Sequence, residues 1–189
     1  MEHVSPDAPL TYQQFLDFIA DKDGRYEYVN GRAVAMGTPS NEHQDISLIL
    51  GSALRDHLRE QRCKVRLAAP LWTFRREAGR ERSPDIMVTC DEADLAIGNR
   101  LNRKPKLIVE VLSPNYGDDL KDKLDEYEAL ETVEEYIVIE STRRWVRRWY
   151  RNAEGKFQID PYYISGIVRF ESVGYPLDID ALYSEVGIA

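Results

Sequence analysis

A glutamate stands inside the apolar run Leu107-Ile108-Val109-Glu110-Val111-Leu112. A short run of β-formers and large aliphatics without polar alternation reads as a strand covered on both faces. That reading requires a sheet with a layer on either side. A bare carboxylate there is costly, so it must be protonated, paired with a cation or bound to a metal. Upstream, Ser83-Pro84-Asp85 leads into a second apolar run, Ile86-Met87-Val88. Two strands that each carry an acid among aliphatics can bring two carboxylates onto one divalent cation. Simpler readings stand beside this one. Ser-Pro-Asp also suits a turn that ends a loop, and Glu110 also suits an ion pair with a buried Arg or Lys.

The chain has 189 residues, 43% hydrophobic and 31% charged, which suits one globular domain. We expect a flexible segment over 1–10 and a single domain over 11–189. No basic start leads into an apolar stretch, and no run approaches the roughly 20 apolar residues of a membrane span. A cytoplasmic location is therefore expected. Cys63 and Cys90 form no CxxC pair. They read as free, buried thiols in a reducing compartment rather than as zinc ligands. The net charge of −8 opposes nonspecific nucleic-acid binding. Its distribution is uneven, however. Residues 51–110 hold 13 Lys/Arg against 9 Asp/Glu, and residues 143–151 hold five Arg and no acid. Phosphate contacts depend on local charge, so nucleic acid stays open as a partner.

Thr11-Tyr12-Gln13-Gln14 is a capping box that opens a helix to about Ala20. Arg25–Met36 alternates around Asn30-Gly31, a hairpin turn. Ser40 and Asn41 precede helically spaced Ile46, Ile49, Leu50, Ala53, Leu54 and Leu58. Strand pattern covers 63–74, a charged loop 75–83, strands about 85–89 and 107–112, and a polar connection 91–105. A helix over 118–130 carries Leu120, Leu124, Tyr127 and Leu130 as its stripe. Strands at 136–139 and 145–150 follow, then at least two shorter ones. One helix between the 107–112 and 136–139 strands makes them candidates for a parallel pair. On the strand at 145–150, Trp145, Arg147 and Trp149 share a face. They can stack on bases, or form cation–π pairs on the sheet or at an oligomer contact.

Taken in order, Tyr26-Glu27-Tyr28-Val29-Asn30-Gly31, His43, Pro84-Asp85, Glu110-Val111-Leu112-Ser113-Pro114, the trio Asp119, Lys123 and Tyr127, and Glu135-Tyr136 resemble the Uma2 family. That family is labelled as restriction endonucleases and falls within the PD-(D/E)XK nuclease-like superfamily. The resemblance runs from Thr11 to about Tyr183. It implies an α/β (α+β) fold: a restriction-endonuclease-like mixed sheet flanked by helices, with an N-terminal helix and hairpin. It also implies Mg²⁺ or Mn²⁺ held by Asp85 and Glu110, and a lysine that orients the attacking water. The superfamily places that lysine two residues after the glutamate, where this chain has Leu112. The resemblance assigns the role to Lys123. Asp119, Lys123 and Tyr127 lie four apart on one helix face, and Asp119–Lys123 can equally be a surface ion pair. Glu27 and His43 are further candidates for catalysis. By alternation, Glu27 between two tyrosines can face solvent. His43 can serve as base, ligand or helix cap.

Two functions follow. One is a metal-dependent endonuclease acting on nucleic acid, with DNA the expected substrate. The other is a nuclease fold without cleavage activity, acting through binding or oligomerisation. A homodimer is expected by analogy alone.

Overall fold

The computed structural model describes residues 8–75, 78–113 and 119–189, with Asp119 described in its backbone only. Thr11 caps helix α1 (Tyr12–Ile19), and its box with Gln14 is complete. Asn30 and Gly31 both adopt positive φ, at 53° and 74°. That geometry matches the right-handed twist of the strands it joins, β1 (Tyr26–Val29) and β2 (Arg32–Ala35). Ser40 caps α2 (Asn41–His57) by accepting the His43 backbone N–H.

The strand pattern at 63–74 resolves into two strands, β3 (Lys64–Leu67) and β4 (Leu71–Arg75). They belong to different sheets. The break falls at Ala68-Ala69-Pro70, where Ala68 takes a φ of 47°. The expected charged loop at 75–83 is instead strand β5 (Ala78–Arg82), because its arginines have buried carboxylate partners. Then come β6 (Ile86–Thr89), a short α3 (Glu92–Leu95) inside the expected polar connection, β7 (Pro105–Leu112), α4 (Asp119–Glu128), β8 (Glu135–Glu140) and β9 (Val146–Arg151). The C-terminal part holds β10 (Phe157–Ile159), β11 (Ile167–Phe170), β12 (Tyr175–Asp178) and α5 (Ile179–Val186). The sequence reading missed that last helix. Asp178 caps it, and it buries Ile179, Leu182 and Tyr183.

Among the described residues the main sheet has six strands in the order β10-β9-β8-β7-β6-β3. The pair β7–β8 is parallel, through the α4 crossover, and the other pairs are antiparallel. One face buries Ile86, Val88, Leu107, Val109, Val111, Ile137 and Ile139 under α2 and α5. The opposite face buries Met87, Ile108, Leu112, Tyr136, Val138 and Trp149 with Tyr127 of α4. Strand β7 is thus covered on both sides, as its composition requires. A four-stranded sheet, β2-β1-β5-β4, carries the N-terminal hairpin. No helix among the described residues is long and apolar enough to cross a membrane.

Cys63 and Cys90 are joined in a disulfide, contrary to the free thiols expected. They directly flank β3 and β6, whose register pairs Lys64 with Thr89. The antiparallel pairing brings together cysteines that lie 27 residues apart in sequence.

Candidate active site

Strand β7 alternates its side chains between the two layers, so Glu110 shares the α4 face with Ile108 and Leu112. It is 5% exposed. Lys123 Nζ lies 3.0 Å from Glu110 Oε2, and the Tyr127 hydroxyl donates to Oε1 at 2.7 Å. Lys123 and Tyr127 are one helical turn apart, which lets α4 grip both oxygens of one carboxylate. The Asp119 side chain of that row lies outside the described residues, as does Pro114. Burial pushes the Glu110 carboxyl up to about 7. Lys123 opposes this, Asp85 adds to it, Tyr127 opposes it, and Glu27 adds to it. Burial also drives the Tyr127 hydroxyl well above its ordinary value, so it remains a neutral donor.

Asp85 precedes β6, beside the C-terminal end of β7. Its Oδ2 accepts the Val111 N–H at 2.7 Å, and its Oδ1 lies 2.9 Å from His43 Nε2. The other ring nitrogen of His43, Nδ1, is 3.3 Å from Ser113 Oγ. Side-chain exposure is 13% for His43 and 12% for Asp85. Both are partly shielded and still within reach of solvent.

Glu27 is 6% exposed, which corrects the solvent-facing orientation expected from alternation. In β1 the buried position is the acid itself, because Arg82 Nη1 reaches its Oε2 at 2.8 Å and the Ser83 N–H reaches its Oε1 at 3.0 Å. Arg82 also forks onto Glu126 of α4, with Nε and Nη2 at 2.9 and 2.8 Å. Arg80 and Thr73 add bonds to the same carboxylate at 2.6 and 2.8 Å. Burial raises the Glu126 carboxyl, but Arg82, Thr73 and Arg80 outweigh it and hold the group below the usual carboxylate range. This lattice ties β1, β4, β5 and α4 together behind Asp85.

The five sequence candidates therefore fall into one connected neighbourhood. Glu110 contacts Lys123, Asp85 contacts His43, and the charges of Asp85 and Glu27 both act on Glu110. The sequence reading gave no role to Arg82 or Glu126, since a segment read as a loop implied no buried charge. Arg80 and Arg82, two apart, were the available signal for one strand face. The basic strand β9 is largely committed elsewhere. Arg148 pairs with Glu135 and Asp160, Arg144 with Asp180, and Arg151 with backbone carbonyls. Trp149 is buried, and Arg147 packs over Trp145 and Tyr162 at 5.4 and 5.9 Å.

Among the described residues, no three His, Cys, Asp or Glu side chains are grouped so as to hold a metal ion. Carboxylate oxygens are the donors that a small hard cation takes when it keeps several waters and accepts further ligands from a phosphate. Those of Asp85 and Glu110 do not form a closed cage.

The fold has solved counterparts. One is a crystal structure titled as a "putative nuclease belonging to DUF820" from Anabaena variabilis, with a TM-score of 0.72 and 18% identity. That match covers 94% of this chain and 99% of the other. A Synechocystis protein named "Uncharacterized protein slr1290" is 28% identical over 183 residues, 95% of each chain. The model of the Uma2 family, described as "Putative restriction endonuclease", matches residues 12–169. The chain belongs to the Uma2 family.

Proposed function

We propose that this protein is a metal-dependent nuclease, with Asp85 and Glu110 as ligands for Mg²⁺ or Mn²⁺ and DNA as the first substrate to test. The observation that carries the reading is the buried Glu110 carboxylate. It is destabilised by burial and by Asp85, and Lys123 holds one of its two oxygens. A structural ion pair alone would gain nothing from a second acid nearby, whereas a cation-binding pair needs one. When bound, the ion would neutralise charge on the scissile phosphate and acidify a bound water. Lys123 supplies a positive charge beside Glu110 and can orient an attacking water. Tyr127 fixes the Glu110 carboxylate, and His43 with the Val111 N–H fixes that of Asp85. Glu27 and Arg82 hold the backbone at Ser83, and thereby the approach of Asp85 to β7. In this scheme Lys123 takes the place of a lysine at position 112.

A second reading, a fold without cleavage activity, draws on the fact that Lys123 already satisfies Glu110 as an ion pair. Incubation of supercoiled DNA, single-stranded DNA and RNA with Mn²⁺ or Mg²⁺ separates the two. The nuclease reading expects cleavage by wild type and none by Asp85→Asn. Cleavage that survives in Asp85→Asn, or wild type that neither cleaves nor binds Mn²⁺, would refute it.

A further inference from the structure

Both oxygens of Asp85 are gripped from β7, one directly and one through a relay. Val111 donates its N–H to Oδ2, while Oδ1 meets His43 Nε2, whose opposite nitrogen meets Ser113 Oγ. Glu110, Val111 and Ser113 lie within four consecutive residues of the same strand end. An ionised carboxylate only accepts hydrogen bonds. In a neutral ring, Nε2 must therefore carry the proton, and Nδ1 presents a lone pair to the serine hydroxyl. A helix side chain such as His43 still has freedom to turn about its ring axis, and a second polar contact removes that freedom. Carboxylate ligands held by such outer contacts keep their aim.

We propose that Ser113 is a positioning residue: its hydroxyl donates to His43 Nδ1 and holds the ring so that Nε2–H points at Asp85. This rests on the reading of Asp85 as a metal ligand. It makes His43 an outer partner rather than a ligand or base, since both of its nitrogens are engaged. It also gives one strand, with the residue that follows it, three tasks: to present Glu110 on the α4 side, bond Asp85 through its backbone, and brace His43 on the α2 side.

Nitrogen-15 NMR of histidine-labelled, metal-free protein tests the relay, with His43→Gln assigning the signals. The expected form is the Nε2–H tautomer, and a dominant Nδ1–H form would overturn the assignment. Calorimetric Mn²⁺ titration then compares wild type, Ser113→Ala and Ser113→Thr at equal thermal midpoints. Ser113→Ala is expected to weaken binding about 10-fold or more, and Ser113→Thr, which keeps the hydroxyl, to restore most of it. Wild-type affinity in Ser113→Ala would overturn the positioning role while leaving the metal site intact. Absence of Mn²⁺ binding in the wild type would instead refute the metal reading beneath it.

Discussion

Replacing Glu110 with glutamine removes a carboxylate that burial pushes toward neutrality while keeping its shape. In the folded protein this carboxyl titrates at about 7, against an ordinary value of 4.5. Between those values the native state keeps a proton that the unfolded chain has lost. Wild-type stability from this group is therefore full below about pH 4.5 and declines as pH rises through 7. At roughly 1.4 kcal/mol per pH unit, the whole decline is about 3 kcal/mol. Glutamine has no proton to lose. The stability of Glu110→Gln relative to wild type should accordingly rise by about 3 kcal/mol between pH 4.5 and pH 8. The attraction of Lys123 for the ionised carboxylate is already contained in the value of about 7, so it adds no separate contribution to this difference. Urea denaturation of both proteins at closely spaced pH values, in chelator, measures the difference and cancels the other groups. A flat difference, or wild type gaining on the variant as pH rises, would mean that attraction to Lys123 outweighs the cost of burial. The account of the site would then be wrong.

Mn²⁺ affinity in wild type should strengthen as pH rises and level off above about 7, because ligation needs the Glu110 proton gone; calorimetry at pH 6 and 8 measures this. Arg82→Met leaves Glu27 and Glu126 buried without their shared cation, and should destabilise the fold by about 3–5 kcal/mol in urea titrations. Replacing Cys63 and Cys90 together by serine releases a loop closed across a sequence separation of 27 and should cost about 3.5 kcal/mol, read as a lower urea midpoint under oxidising conditions. Thr11→Ala removes a complete capping box and should cost about 1 kcal/mol, detectable as a small drop in thermal midpoint.

Local signals with one physical meaning were legible from the sequence. Asn30-Gly31 admits little besides a tight hairpin, Thr11 and Ser40 are helix caps, and the run around Glu110 demands two covering layers. The parallel pairing of β7 with β8 followed from a single intervening helix. Alternation failed where the buried partner was charged. Glu27 and Arg82 look solvent-facing when read singly, and their mates lie 55 and 44 residues away in sequence. The same blindness turned β5 into a loop. Helix α5 was missed even though Asp178, Ile179, Leu182 and Tyr183 carry a cap and a helical stripe, because short strands were expected to run on. The cysteine pairing needed the register of β3 on β6, which no spacing rule supplies. Within the site, the sequence nominated residues that the fold gathers into one neighbourhood, and it left open which touched which. Contact across layers decided that Lys123 meets Glu110 and that His43 meets Asp85.

The disulfide also bears on β3 as the last strand of its sheet. An outer strand of four residues has a neighbour on one side only, and sliding by one residue would turn every side chain to the wrong face. Cys63 and Cys90 lock the outer strand to β6 at one end. Asp85 directly precedes the far end of β6. The bond therefore works as a vernier stop: it denies β3 any slippage along β6, and just past the far end of β3 the Ala68 N–H reaches the Asp85 carbonyl at 3.0 Å.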